Sequence, residues 1–407
     1  MHLKATSTFL TLLTLCCFSY AEEKQEKQSL FRDVNAFAMD LSEQLEDPNY
    51  FFSSYSLYSC LSLTYLGARQ DTAVEMAKIL HLRTTPDQLV RQIKAYESSL
   101  HIDSPSGKGY ELLSANALWL DKDSYILSDY RHIAEDAYKA KVTPVDFATD
   151  PNVPSIINEW ISNQTKGKIP TLLDPADISA ATRMVLTSAI YFSGAFKMPF
   201  LAEKTMPGVF SLEDASKCSL PMMDQTSLLP YYENDAMQVV SLPFTADVGA
   251  DDLALMIFLP KKSSLKDTEK TVTAFALQEW ISSLEYRNLH IQLPKFSIKK
   301  RFSLKDLLQK MGMNIAFDAK ANFSGIDGME DLFLSDVLHA ALFSLDEKGV
   351  VATAASAAVM NMKATGPSVI PPIEFFVNRP FLFAVVDVSH KSVLFWGRLA
   401  DPKEDAL

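Results

Sequence analysis

The amino-acid sequence predicts a single large α+β domain, and three observations carry that expectation. Apolar residues recur at helical spacing near the N-terminus and give way to short strand-like runs from Leu112 onward. Helical and strand-like segments do not alternate in the manner of a parallel α/β sheet. No fixed-period repeat and no Gly/Ser-rich linker divides the 407 residues.

Taken in order, Met1 to Ala21 reads as a secretory signal peptide. It has a short basic start (His2, Lys4), an apolar run from Phe9 to Phe18, and the small residues Ser19 and Ala21 at a cleavage position. The expected domain is therefore 22–407, exported to a secreted, extracellular location. Phe31, Val34, Phe37, Ala38, Leu41 and Leu45 mark a first amphipathic helix. Ser56 to Leu80 continues in helical spacing, with Gly67 as a break between two helices. Ala115 to Leu120 and Met184 to Phe192 read as strands, separated by a helix around Ile156 to Ile161 that Gly167 and Pro170 end. Gln238 to Pro243, Leu253 to Pro260 and Leu289 to Ile298 are further strand-like runs. A helix at Ser303 to Met311 precedes hairpin strands at Phe381 to Val388 and Ser392 to Leu399.

Composition narrows the function classes. Hydrophobic residues are 48% and charged residues 22%, which is globular rather than disordered or polytopic. Beyond the signal no stretch reaches the roughly 18 apolar residues of a membrane span, so no membrane partner is expected. A formal charge of −12 argues against a nucleic-acid binder, which needs a basic footprint to displace phosphate counterions. After cleavage only Cys60 and Cys218 remain, without a CxxC or His neighbour, so neither a disulfide framework nor a zinc site is predicted. Cys60 lies among Leu57, Leu61 and Leu66 and reads as a buried thiol. The sequence holds no GxSxG, P-loop, GxGxxG or HExxH, and its seven His residues are scattered. It offers no enzyme, no cofactor and no metal site.

One window departs from ordinary structure. Val350 to Met362 is thirteen residues without a charge, introduced by Asp346-Glu347-Lys348-Gly349 and followed by Lys363-Ala364-Thr365-Gly366-Pro367. Its alanines favour a short helix, and its flanks would also suit a surface loop. A third reading follows from the alternation Val350, Ala352, Ala354, Ser356, Ala358, which puts only small residues on one face of an extended chain. Such a face could slide between two existing strands. Composition alone leaves all three open.

Several motifs, in order over essentially the whole mature chain, resemble the serpin family. Asn49-Tyr-Phe-Phe-Ser53-Ser54-Tyr55-Ser56 resembles the opening of the family's second helix. Val145-Asp146-Phe147, Ile157-Asn158-x-Trp160-Ile161 and Thr165-Lys-Gly167-Lys168-Ile169 are similar to a second signature. Ala189-Ile190-Tyr191-Phe192-x-Gly194, Leu293-Pro294-Lys295-Phe296 and Phe323-Ser324-Gly325-Ile326 match further segments. His339, Asn378-Arg379-Pro380-Phe381, Phe395-x-Gly397 and Ala400-Asp401-Pro402 complete the pattern. Ser54 stands where the family usually has Pro, Ser188 where it has Asn, and Phe196 where it has Trp.

The resemblance implies helices around three mainly antiparallel β-sheets, with an exposed C-terminal reactive loop over about residues 347–370. It implies a suicide-substrate inhibitor: a protease attacks the loop, and the freed hinge inserts into the central sheet before the acyl-enzyme hydrolyses. Loop insertion in serpins is a standing example of strand addition that releases stored strain. The hinge would comprise Glu347, Gly349, Val350, Ala352, Ala354, Ser356 and Ala358, and from Gly349 to Ala358 it is free of bulk and charge as inhibition demands. Non-inhibitory carriers or chaperones on the same scaffold often carry charged or Pro-containing hinges. The family's usual loop length, counted from Glu347, places the reactive bond at Lys363-Ala364 and the partner among trypsin-like serine proteases, in a covalent complex. Met362 and Met360 are the alternative positions, suited to chymotrypsin- or elastase-like pockets. Ser53, Ser56, Ser188 and His339 would form a hydrogen-bonded shutter, thinner for having Ser at 188. Glu347 and Lys295 would pair at the top of the hinge. Sequons at Asn163 and Asn322 make them candidate N-glycosylation sites, although the fold would explain both motifs without sugar. Arg91 and Lys94 are too few for a heparin site, and a monomer is expected.

Overall fold

A computed structural model describes residues 29–100, 109–245, 252–261, 264–350 and 371–402. The expected signal at 1–21, the hinge beyond Val350 and the Lys363-Ala364 bond lie outside the described residues.

Helix α1 covers residues 29–43, where the apolar spacing placed it. Strand β1 (Asn49–Phe52) leads into α2 (Ser54–Gly67), capped by Ser53, whose hydroxyl accepts the Ser56 N–H. α2 is buried along most of its length because it runs through the centre of the molecule, so it shows no amphipathic face. Gly67 ends it where an added Cβ would stand 2.3 Å from Ile326. Next come α3 (Gln70–Ile79), α4 (Pro86–Leu100), β2 (Tyr110–Asp121), α5 (Ser128–Asp136) and β3 (Lys141–Val145). They are followed by α6 (Val153–Gln164), β4 (Met184–Ala195), β5 (Met206–Ser211) and β6 (Lys217–Glu233). Strands β7 (Met237–Pro243) and β8 (Leu253–Pro260) precede α7 (Leu265–Glu269) and α8 (Ala274–Ser282). The C-terminal part holds β9 (Glu285–Pro294), β10 (Phe296–Ser303), α9 (Lys305–Lys310), α10 (Ser324–Asp327), β11 (Leu334–Asp346) and β12 (Gly349–Val350). Last are β13 (Ile373–Phe376), β14 (Phe381–Asp387) and β15 (Ser392–Leu399).

Two sheets organise these strands. One runs β1-β15-β14-β8-β7-β6-β9-β13 with β5 added on β6, and the other β10-β11-β12-β4-β2-β3. The α+β class therefore holds, and the expected count of three sheets becomes two. The reason is β6, whose seventeen residues pair in turn with β5, β9 and β7 and join what would be separate sheets. Leu289 to Ile298, read as one run, is two strands. The chain turns at Lys295 and passes from one sheet to the other.

The two faces of the six-stranded sheet belong to different cores. Leu186, Ile190, Phe192, Ala341 and Phe343 join the main core with α2. Val185, Ala189, Leu338 and Ala340 join a smaller cluster under α6 and residues 169–173. This follows from strand alternation, and it leaves the sheet buried on both sides.

Candidate functional site: a slot between two central strands

Strands β4 and β11 are parallel neighbours from Leu334 opposite Met184 up to Leu342 opposite Tyr191. Above that point they part. β12 fills the gap: Gly349 and Val350 pair antiparallel with Asp346 and Leu345 on one side, and with Ala195 and Gly194 on the other. The hinge residues Gly349 and Val350 are thus already strand, and Val350 is fully buried. Gly349 and Val350 are extended at the entrance of the window, and the rest of it lies outside the described residues.

The backbone of the wedge needs glycine. Gly349 has φ +143°, and a Cβ there would lie 2.1 Å from the Gly194 carbonyl oxygen. The turn before it is fastened to the chain leaving β4, since Phe196 N–H donates to Lys348 O and Phe200 N–H to Glu347 O, both at 2.8 Å. Glu347 accepts from Lys295 Nζ at 2.9 Å and from Thr205 Oγ1 at 2.8 Å. Burial works against its charge, but the Lys295 and Thr205 hydrogen bonds outweigh it and hold the carboxyl below its usual range. Phe196, in the family's Trp position, stacks on Phe244 with ring centroids 5.5 Å apart.

Lower down, where β4 and β11 still touch, Ser188 faces His339 across the parallel ladder. Ser53 N–H donates to His339 Nε2 at 3.0 Å, which places the ring proton on Nδ1. That N–H donates to Ser188 O at 2.8 Å and reaches Ser188 Oγ at 3.1 Å. Ser188 Oγ bonds to Ser56 Oγ, and Ser56 donates to Asn116 Oδ1, each at 2.9 Å. Complete burial pushes the imidazole down to about 4, so it is neutral at physiological pH. The network is not thin. Asn116 sits on β2 directly opposite Ser188 and supplies the carboxamide that Ser188 lacks.

Sequence reasoning overlooked Asn116, although a lone amide inside the apolar run Ala115 to Leu120 was the available signal. Thr205 carried no such mark. Ser54, in the family's Pro position, donates its hydroxyl to Val393 O at 2.5 Å. The two sequons differ. Asn163 is exposed in the last turn of α6. Asn322 is buried: its amide donates to Glu330 and its carbonyl accepts from Ser324, so its side chain is engaged within the fold. Cys60 and Cys218 are not joined in a disulfide, and burial pushes the Cys60 thiol up and out of reactivity. Among the described residues no three His, Cys, Asp or Glu could hold a metal, and no helix is long and apolar enough to cross a membrane.

A central sheet that admits the start of a C-terminal loop defines a class of protein, and comparison with known sequences places the chain in it. The family model described as Serpin (serine protease inhibitor) matches residues 32–402, and the chain belongs to the serpin family. It is 33% identical over 380 residues to antithrombin-III of Homo sapiens, covering 91% of this chain and 80% of that one. It is 32% identical over 381 residues to the leukocyte elastase inhibitor of Bos taurus, covering 90% and 97%. Among solved structures, Serpin48 of the insect Tenebrio molitor superposes with a TM-score of 0.80 at 26% identity over 93% of this chain and 98% of that one. Human thyroxine-binding globulin gives 0.81 at 25% over 93% and 99%. The fold is thus shared by inhibitors and by a protein solved with a bound hormone, and the hinge must discriminate.

Proposed function

We propose that this chain is an exported inhibitor of trypsin-like serine proteases that acts as a suicide substrate, is not itself an enzyme, and is cut at Lys363-Ala364. The observation that carries the reading is β12: the slot accepts Gly349 and Val350 as a middle strand. Continuing its register downward sets Ala352 between Phe192 and Phe343, Ala354 between Ile190 and Ala341, and Ser356 between Ser188 and His339. Every one of those flanking residues faces the main core or the shutter. Only small side chains fit there, and residues 352–358 on that face are Ala, Ala, Ser and Ala.

The mechanism follows. The protease serine attacks the Lys363 carbonyl, the bond to Ala364 breaks, and the loop's new end remains esterified to the enzyme. Released from its C-terminal tether, the hinge replaces the β4–β11 ladder with two antiparallel ladders and carries the protease along before water can deacylate it. Lys363 would occupy a pocket with an acid at its base. Arg91 and Lys94 on α4 do not make a basic face, since Lys94 is paired with Asp136 at 2.6 Å, so heparin is not expected to accelerate the reaction.

The test is incubation with trypsin, denaturing electrophoresis for a covalent complex, and N-terminal sequencing of the released fragment. A fragment starting at Ala364 is expected. A start at Lys363 or Asn361 would move the bond to Met362 or Met360, and cleavage without any complex would refute inhibition.

A further inference from the structure

Insertion between β4 and β11 moves the two halves of the six-stranded sheet apart by about 4.8 Å, the spacing of one strand. Whatever bridges the slot on the α6 face must then slide, stretch or let go. α6 and the chain after it form that bridge. On the β4 side they are held many times over. Trp160 of α6 stands edge-on to Trp119 of β2, with the Lys141 ammonium 5.1 and 5.3 Å from the two ring centroids. Lys166 bonds Glu111 of β2 at 2.6 Å, and Lys168 lies over the Tyr191 ring of β4.

On the far side α6 and the chain after it share an apolar cluster with Leu338 and Ala340 of β11, the Arg183 N–H donates to Ser335 Oγ of β11, and a charged link runs to Arg301 of β10. Arg301 Nε donates to Leu172 O at 2.5 Å, and its guanidinium pairs with Asp177 and lies 3.9 Å from Asp174. The same Leu172 is tied back to α6, because its N–H donates to Asn158 Oδ1 at 2.8 Å. Leu172 therefore has its amide on the β4 side of the slot and its carbonyl on the β10 side. The link runs in series: α6, Asn158, Leu172, Arg301, β10.

We propose that Arg301 is the clasp whose release sets the rate of sheet opening, with α6 leaving together with β2, β3 and β4. Arg301 is a positioning residue here, acting through Leu172 and Asp177. The inference rests on the inserted-strand reading and names what restrains it.

The probe is a synthetic peptide with the sequence of residues 350–362, whose uptake by the intact protein reads sheet opening without any protease. Arg301→Gln should take it up about tenfold faster than wild type, the effect of losing charge-assisted hydrogen bonds from the closed state. Asn158→Ala cuts the same series link from the other end and should accelerate uptake comparably. The double variant should be little faster than either single one, whereas general destabilisation would compound. Melting curves establish that each variant is folded. Uptake by folded Arg301→Gln within twofold of wild type, or slower, overturns the clasp. If wild type takes up no peptide, the inserted-strand reading falls and the clasp with it, an outcome distinct from the first.

Discussion

If the chain inhibits as proposed, placing a carboxylate at residue 354 should convert it into a substrate. Extending the β12 register brings residue 354 between Ile190 and Ala341, both 2% exposed. No described cation reaches that part of the main core, so the inserted Glu would have to enter as the neutral acid. Neutralising a carboxyl of ordinary pKa near pH 7.5 costs roughly 4 kcal/mol, and overfilling the site adds about 1–3 kcal/mol. If only a third of the first figure is felt at the transition state for insertion, the rate drops about tenfold. Deacylation then overtakes insertion. The assay is the ratio of covalent complex to cleaved product after reaction of Ala354→Glu with trypsin, beside the melting curves of intact and cleaved forms. Intact protein should melt as wild type does, and the cleaved variant should gain much less stability than cleaved wild type. Equal complex yields with equal melting shifts would refute the register, and loop insertion with it.

Three further outcomes are expected. Gly349→Ala cannot keep the wedge in place, since its Cβ would strike the Gly194 carbonyl and φ +143° suits only glycine, so the fraction of covalent complex should fall. His339 is held to about 4 in the fold against an unfolded value near 6.5. Because the folded value is the lower one, its contribution of about 3 kcal/mol is complete above pH 6.5 and lost as pH falls toward 4, where Ser53 N–H would face a second N–H. Denaturant midpoints measured across that window should show the loss, and a flat profile would contradict it. In a glycosylating host Asn163→Gln should abolish an endoglycosidase-sensitive mass shift, whereas Asn322→Gln should leave the shift and lower stability by about 1–3 kcal/mol.

How much of this was legible in the sequence depends on the kind of signal. Periodicity located α1, the α2–α3 pair broken at Gly67, and the β14–β15 hairpin, because each buries one face or is buried whole. It failed at Lys295, since Leu289 to Ile298 is apolar enough for one strand and nothing local shows the chain changing sheets. Ser53, Ser56 and His339 were named only through resemblance; as isolated residues they look like any satisfied polar group. Asn116 was missed because its partner Ser56 is sixty positions away. The charge-free window was visible from composition, but that Gly349 and Val350, at its entrance, already sit in the sheet is a tertiary fact. It depends on Gly194 and Gly349 approaching too closely for any Cβ.

The same geometry explains why the window is small as well as uncharged. A strand added to the middle of a sheet satisfies about one backbone hydrogen bond per residue, worth about 1 kcal/mol net. Fixing that residue costs about 1–2 kcal/mol of backbone entropy. Backbone pairing alone therefore does not drive insertion. The surplus must come from side chains on both faces, against Phe192, Ile190, Phe343 and Ala341 on one side and the cluster under α6 on the other. Valine and alanine contribute apolar burial with almost no rotamer entropy to lose, which larger residues could not offer without displacing the core. In the proposed mechanism, while Lys363 and Ala364 are joined the loop would be tethered at Val350 and again at the chain entering β13, which would keep the strand from extending far into the slot. Cleavage removes the second tether. On the proposed mechanism the chemistry of the target protease would be the trigger, and the fold supplies a slot whose upper end is already held open by Val350.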